Sequence, residues 1–512
     1  MARFFNTHGP CVPGWHYMLP AWERLPEIAE LVGRQEYFLL HAPRQTGKST
    51  LINTFADELR AQGTLALVAN LEECQGITDV AHAEALWIAA ITRAAESWLP
   101  EASHPPRPDP TVPAGARLSS WLTAWCVQRG PIGALLLDEA DRVEGDAMLS
   151  LLRQVRGGFH VRQLDRFPRS IGLIGLRDLR DYVVEAKGEP VHRGSPFNIA
   201  ERVTLRNFTR EEVARLYTQH TADTGQRFTE DAVDAVMTWT AGQPFLVNAL
   251  AKEATDRLVV DRARPVDPRV IEEAVRRLGR ARVTHLDNLA ERTKEARVAR
   301  VLAAILLGES SHRVDRGSDD FQYCVDLGLV RAEPDVSVAN PLYREVLLRT
   351  LADARQPDVP ARSWVREGRL DVAGLLDAFF SWWSEHADAL RASDHTPYRE
   401  AVPHIVFLAW LQRIVNGGGV ITREFALGRG RLDVLVTWGG ERHAFEIKRV
   451  RPQESLKRVI DEGAAQLARY LDLLGLSHGT LLVFDTRGRS WGKRLWADRR
   501  RVGTLEIEVR GG

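Results

Sequence analysis

Two clusters of residues, far apart in the chain, have the types and spacing for phosphate chemistry. The first is Ala42-Pro43-Arg44-Gln45-Thr46-Gly47-Lys48-Ser49-Thr50. A glycine followed by lysine and a hydroxyl residue suits a turn whose backbone N–H groups face phosphate oxygens and run into a helix N-terminus. Gly47 permits close backbone approach, Lys48 would reach the β- and γ-phosphates, the Ser49 hydroxyl would ligate magnesium, and Thr50 completes the candidate nucleotide contacts. The pattern departs from G-x-x-x-x-G-K-S at its first position, where Ala42 adds a Cβ. Its partner is Ala134-Leu135-Leu136-Leu137-Asp138-Glu139, an apolar run ending in two acids. Asp138 would hold the magnesium shell and Glu139 would act as general base toward the attacking water. Taken alone, such a run is equally a core strand with an acidic cap.

The second cluster is Gly430-Arg431-Leu432-Asp433, followed after a turn by Phe445-Glu446-Ile447-Lys448. On adjacent strands Asp433 and Glu446 can converge on a divalent cation. Lys448, two residues from Glu446, shares its face and can orient or help deprotonate a water beside a scissile phosphate. Glu400, in the first turn of an upstream helix, would add a metal ligand. The plainer reading of E-x-K is a solvated pair on an amphipathic strand. Apolar Phe445 and Ile447 put Glu446 and Lys448 on the face away from that core layer.

These residues need elements to carry them. Tyr37-Phe38-Leu39-Leu40 reads as a strand before the loop, and residues 51–59 have a helical apolar period after it. Ser170–Leu176 reads as a further strand, and Arg177 and Arg180 just beyond it are candidates to sense a γ-phosphate, though a surface arginine is the commoner outcome. Thr209 and Glu212 form a capping pair opening a helical region that runs to about Arg257. Within it Gly242-Gln243-Pro244 marks a break between helices. Two short strands around Glu333-Pro334-Asp335, after helices, suggest a winged helix, and residues 353–367 with Pro357 and Pro360 a linker. The segment after it reads as helix, helix, three strands (419–427, 431–438, 443–450), a helix to Leu474 and a strand over 479–484. Gln466 and Tyr470 lie one turn apart on that later helix. The stretch 487–501, with Arg489, Lys493, Arg494, Arg499, Arg500 and Arg501 around Trp491 and Trp496, reads as a basic tail suited to nucleic-acid phosphates.

Residues 1–350 resemble AAA-like P-loop ATPases of the signal-transduction type, through Tyr37–Thr50, Leu135–Asp141, Gly175–Tyr182 and Thr240–Asn248. Residues 365–490 resemble the PD-(D/E)XK nuclease superfamily through Asp433, Glu446, Lys448, the Gln466–Tyr470 pair and the element order. The resemblances imply an α/β multidomain protein: a P-loop parallel sheet (1–205), helical lid (206–265), winged helix (266–353), linker (354–367) and restriction-endonuclease-like α/β domain (368–512). They imply ATP and magnesium, with manganese as an alternative at the nuclease site, a DNA substrate with RNA left open, and oligomerisation through the ATPase. An ATP-controlled nuclease serving defence against phage or plasmids is the expected function. The alternatives are a nucleotide-dependent switch or scaffold whose last domain only binds, and a motor that feeds DNA to the nuclease.

Composition sets the outer limits. Of 512 residues, 68 are Lys or Arg and 68 Asp or Glu, so nucleic-acid binding requires a local patch rather than global charge. Four separated cysteines with no C-x-x-C pair argue against a disulfide framework or zinc site. No apolar stretch is long enough to span a bilayer and the first residues lack a signal-peptide pattern, so a cytoplasmic location is expected.

Overall fold

The computed structural model describes residues 3–175, 199–280, 291–292, 294–306, 315–355, 364–366, 369–393, 402–415, 420–427, 430–450, 453–485 and 494–512. The chain divides into two compact units, residues 1–283 with 316–342 and residues 284–315 with 343–512.

In the first unit the described residues form a five-stranded sheet: β1 (Tyr37–His41), β2 (Ala66–Asn70), β3 (Ala134–Asp138), β4 (Ser170–Gly175) and β5 (Ala200–Thr204), in the order β2-β3-β4-β1-β5. Every neighbouring pair is parallel. Parallel strands require crossovers that cover both faces, so these strands read as unbroken apolar runs. On one face helices α1 (Ala21–Arg24), α2 (Pro26–Gly33) and α3 (Lys48–Ala61) pack through Ile28, Ile52 and Phe55 onto Phe38 and Leu136. On the other, α4 (Val80–Trp98), α5 (Arg117–Arg129) and α6 (Gly145–Phe159) bury Trp87, Trp121 and Trp125 against Leu135, Leu137 and Leu173. Each large side chain so buried stabilises the fold by about 1.5–3 kcal/mol. The result places the C-terminal ends of β1 and β3 at one rim of the sheet, with β4 between them.

Beyond the sheet lie α7 (Arg210–Thr224), α8 (Glu230–Thr240) and α9 (Pro244–Glu253). The capping box read from Thr209 and Glu212 is formed in full. Gln243 is the N-cap of α9 with Pro244 at its first position, as the Gly-Gln-Pro break implies. The strands flanking Glu333–Asp335 are a two-residue pair, β6 (Val330–Arg331) and β7 (Ser337–Val338).

In the second unit a small hairpin pairs β8 (Val365–Arg366) with β9 (Arg369–Leu370). The main sheet is mixed: β10 (Val420–Leu427), β11 (Gly430–Trp438), β12 (Glu441–Val450), β13 (His478–Asp485), β14 (Trp496–Val502) and β15 (Leu505–Gly511), ordered β10-β11-β12-β13-β15-β14. Helices Val372–Ser393 and Val402–Val415 cover one face with an aromatic layer in which Phe379 and Phe407 meet edge to face at 5.0 Å and Phe407 meets Phe445 at 5.7 Å. Helix Leu456–Leu474 covers the other through Ile460, Leu467 and Leu471. One sequence expectation changes here. The stretch taken as a basic tail becomes, from Trp496 onward, edge strand β14, and Arg494 is buried. Trp496 and the alternation after it supply a face for pairing with β15, so Arg499 and Arg501 remain exposed while Arg500 turns to Asp498 at 3.0 Å. Arg489, Lys493 and Trp491 lie outside the described residues.

Candidate nucleotide site and acidic site

The phosphate-loop candidate sits where β1 ends and α3 begins. Gln45 and Gly47 adopt left-handed backbone, φ 59° and 90°, which turns successive N–H groups to one side of the loop. Gly47 is the residue preceding α3, and its conformation favours glycine. Thr46, buried, donates its hydroxyl to the Pro43 carbonyl at 2.8 Å and fastens the loop. Lys48 Nζ donates to the carbonyls of Ala42 at 2.6 Å and Pro43 at 3.0 Å. Burial pulls the Lys48 ammonium below its ordinary pKa, opposed by the acids Asp141, Glu139 and Asp138.

Parallel pairing brings the acidic strand to the same rim. Ser49 Oγ donates to Asp138 Oδ2 at 2.7 Å. Asp138 is buried, and desolvation raises its pKa with repulsion from Glu139 adding to the rise, while the Ser49 bond works against it. A hydroxyl and a desolvated carboxylate in contact are a donor pair that suits magnesium, and among the described residues no cluster of three acids, histidines or cysteines joins them. Glu139 follows in left-handed backbone, φ 54°, and its carboxylate accepts from Arg142 Nε at 3.0 Å.

Sequence reasoning missed several residues that complete this site. Asp141 carries the strongest attraction on Lys48, and burial lifts its own pKa. Its only sequence signal was its position three residues after Asp138. Arg24, buried, donates Nη1 to the Thr46 carbonyl at 3.3 Å and Nη2 to the Arg206 carbonyl at 3.0 Å, with its guanidinium 4.5 Å from the Phe208 ring. Desolvation pushes Arg24 down to about 10. Gln243 caps α9 by accepting from Leu246 N at 2.7 Å and donates Nε2 to the Gln45 carbonyl at 3.3 Å, so the helical break touches the loop. Cys11 N donates to Thr50 Oγ1 at 2.9 Å. These contacts join distant segments and leave no local periodicity. Arg177 and Arg180 lie outside the described residues.

In the second unit, β11 and β12 pair from Trp438↔Glu441 to Val434↔Phe445, and the ladder ends there, one residue short of Asp433 and Glu446. There the Asp433 side chain enters the ladder, its Oδ2 accepting from Ile447 N at 2.7 Å. Glu446 is fully buried; Oε1 accepts from Lys448 Nζ at 2.7 Å, and Oε2 is buried without a hydrogen-bond partner. Burial, then the neighbouring Asp433, push Glu446 up to about 8. Desolvation raises Asp433 as well, against the pull of Lys448. For Lys448 the attraction of Glu446 and Asp433 outweighs burial and raises its pKa. Gly463 lets helix Leu456–Leu474 close over this point: a Cβ there would lie 3.1 Å from Lys448 Cγ and 2.9 Å from Leu481. Gln466 Nε2 donates to the Tyr470 hydroxyl at 3.3 Å on that helix. The buried Glu446 carboxylate with its orphaned oxygen, repelled by a half-buried Asp433, fits a divalent cation. Among the described residues they are not joined by a third acid, histidine or cysteine, and Glu400 lies outside those residues.

No protein-family model and no curated protein matches the chain. Among solved structures it is similar to a Walker-type ATPase of Pyrococcus abyssi, at 14% identity over 67% of this chain and 99% of that one, TM-score 0.48. The Aeropyrum pernix ORC2 protein, solved as ADPNP–ADP complexes, is 14% identical over 66% and 92%, TM-score 0.40. The Thermotoga maritima RuvB Holliday junction branch migration motor is 18% identical over 64% and 92%, TM-score 0.34. The five-stranded parallel sheet, its flanking helices and the loop after β1 are consistent with a P-loop NTPase fold. The second unit is a mixed sheet between helices. Among the described residues, no helix is long and apolar enough to cross a membrane.

Proposed function

We propose that the chain binds and hydrolyses ATP at the first unit and thereby controls a metal-dependent site in the second that cuts DNA phosphodiesters. The observation that carries the ATPase reading is the 2.7 Å bond from Ser49 to Asp138, which joins the phosphate loop to the acidic strand. In this reading Lys48 leaves the loop carbonyls for the β- and γ-phosphates, and the loop N–H groups bind the same oxygens. Magnesium held by Ser49 and Asp138 would supply charge neutralisation of the phosphates. Glu139 orients a water and takes its proton at the carboxylate now facing Arg142.

The nuclease reading rests on Asp433 and Glu446, whose carboxylates would hold magnesium or manganese. That cation supplies charge for the scissile phosphate; Lys448 positions a water and offsets developing negative charge. Arg499 and Arg501 on β14 offer exposed cations for a nucleic-acid backbone. A second reading, a nucleotide-dependent switch or scaffold whose second unit only binds, is favoured by the complete burial of Glu446 and its pairing with Lys448.

Cleavage of supercoiled plasmid and single-stranded DNA with magnesium or manganese, with and without ATP, separates the readings. Loss of cleavage in Lys448→Ala supports the nuclease, and Lys48→Ala shows whether ATP drives or restrains it. ATP turnover without cleavage in any lane leaves the switch. Absence of ATP binding overturns the ATPase.

A further inference from the structure

The outer strands of a sheet leave a row of backbone N–H and C=O groups unpaired, and proteins blunt such edges with charge, proline or a bulge. Among the outer strands of the two main sheets, β5 carries Glu201 and Arg202, β10 carries Arg423 and Glu424, and β14 carries Asp498 and Arg499. The remaining outer strand, β2, is Ala66-Leu67-Val68-Ala69-Asn70; it has no charge and no proline, and its pairing with β3 runs without a bulge. Leu71 N–H, just past the strand, donates to the Asp138 carbonyl at 2.9 Å, and the Leu65 carbonyl, just before it, accepts from Ala134 N–H at 3.1 Å. Backbone groups alternate sides along a strand, so Leu67 and Ala69 turn theirs to β3 while Ala66, Val68 and Asn70 turn theirs outward. Arg60 Nη1 agrees with this phase, donating to the Ala66 carbonyl at 2.8 Å. Among the described residues no strand pairs with the outward row. Beside it lies a groove of about 490 Å³ lined by Val68 and by Ala90, Ala94 and exposed Trp98 of α4. The two alanines keep the helix surface low there, so a further strand has room to reach the edge.

We propose that a second copy of this chain occupies the edge, β2 pairing with β2 antiparallel about a two-fold axis at Val68. The pairing needs neither the nucleotide nor the cation. Self-pairing requires an outward-facing residue on the axis, because two residues directly opposite in such a pair exchange both N–H···O bonds. Val68 is the middle residue of β2 and faces outward; Ala66 then meets the partner's Asn70 in the same phase. Charge favours the same orientation. Arg60 lies at the start of β2, where its guanidinium also sits 5.2 Å from the Trp98 ring, and exposed Glu72 and Glu73 follow the end of the strand. Antiparallel pairing sets Arg60 beside the partner's Glu72 and the partner's Glu73, whereas parallel pairing would set like charges together. A two-fold contact closes on itself, so the product is a dimer joined by one continuous sheet.

Sedimentation velocity on the full chain over a range of concentrations, without nucleotide, tests this. Wild type is expected to pass from monomer to dimer as concentration rises, doubling its mass. Val68→Pro removes an outward N–H and spares the bonds to β3, so it should stay folded by circular dichroism and monomeric throughout. Glu72→Arg sets arginine against arginine at both ends of the paired strands and should raise the dimer dissociation constant about 2- to 30-fold. A wild type that stays monomeric would overturn the proposal and leave the edge to a strand of a different chain. So would a dimer that both variants leave intact, since it would form through another face. Dimerisation lost in Val68→Pro yet untouched by Glu72→Arg rejects the antiparallel register. Should Val68→Pro fail to fold, hydrogen exchange on wild type decides: the amides of residues 66–70 should gain protection as concentration rises, and protection that does not change rejects the pairing.

Discussion

Ser49 and Asp138, 89 residues apart in sequence, are joined by a 2.7 Å hydrogen bond from hydroxyl to carboxylate. The bond exists because β1 and β3 run parallel and end at the same rim, each followed at once by its polar residues. Burial raises the Asp138 pKa, so this carboxylate is held where a cation gains more from it than in water. Asp138→Asn keeps the shape and removes the charge. ATP turnover, followed as phosphate release, should fall on the order of 100-fold, a loss typical of removing one preorganised electrostatic group. ADP binding measured without magnesium should persist.

Glu139 and Arg142 form a second testable pair, 3.0 Å apart and partly exposed. Left-handed backbone at a glutamate is strained, and strain of this kind gathers at functional positions. Glu139→Gln should abolish turnover while leaving nucleotide binding intact. Arg142→Ala releases the carboxylate from its partner. A partly exposed ion pair is worth at most about 1 kcal/mol, so basal turnover should rise by no more than about 5-fold. Steady-state phosphate release on the two variants checks both expectations.

Much of this arrangement was legible in the chain. The strands at Tyr37 and Ala134, the capping box at Thr209, and the strand–turn–strand carrying Asp433 and Glu446 follow from apolar period and turn residues, which are local signals. Arg24 and Gln243 were not legible as site residues, because their roles depend on tertiary contacts with the loop. Arg494 reads as a solvated cation in a basic run and is buried, since the run's later half pairs as an edge strand. Local charge cannot reveal that pairing.

Cys11 gives a chemical probe of the surroundings of the phosphate loop. Its backbone N–H bonds Thr50 beside the loop and it is partly exposed, whereas Cys74, Cys126 and Cys324 are buried. Burial raises its thiol pKa, so the thiolate is scarce at neutral pH. Maleimide labelling of the folded chain should therefore modify one cysteine, slowly at about pH 7 and faster as pH rises. Saturating ADP should suppress the reaction, and peptide mass mapping should place the adduct on Cys11. Labelling unaffected by ADP would show that bound nucleotide does not shield Cys11.

The pKa of Glu446 makes the second unit's stability depend on pH in a defined direction. Its carboxyl is pushed up to about 8 from an ordinary 4.5, by burial and then by Asp433, with Lys448 opposing. Between those values the folded protein holds a proton that the unfolded chain has lost. Folding stability from this group is therefore present at low pH and declines as pH rises, by up to about 1.4 kcal/mol per pH unit. Asp433 faces Lys448 and Arg344, and Lys448 also feels Tyr470, so the decline is moderated by those charges. The urea midpoint of the metal-free second unit, followed by tryptophan fluorescence, should fall from about pH 5 to about pH 8 and level off above it. Glu446→Gln should flatten this dependence. A divalent cation competes for the ionised carboxylates, so magnesium or manganese should raise the midpoint in wild type more at high pH than at low. The same ions should do little in Glu446→Gln. If the wild-type midpoint ignores both metals at every pH, the two acids are not a cation site, and the second unit is left with binding rather than cleavage.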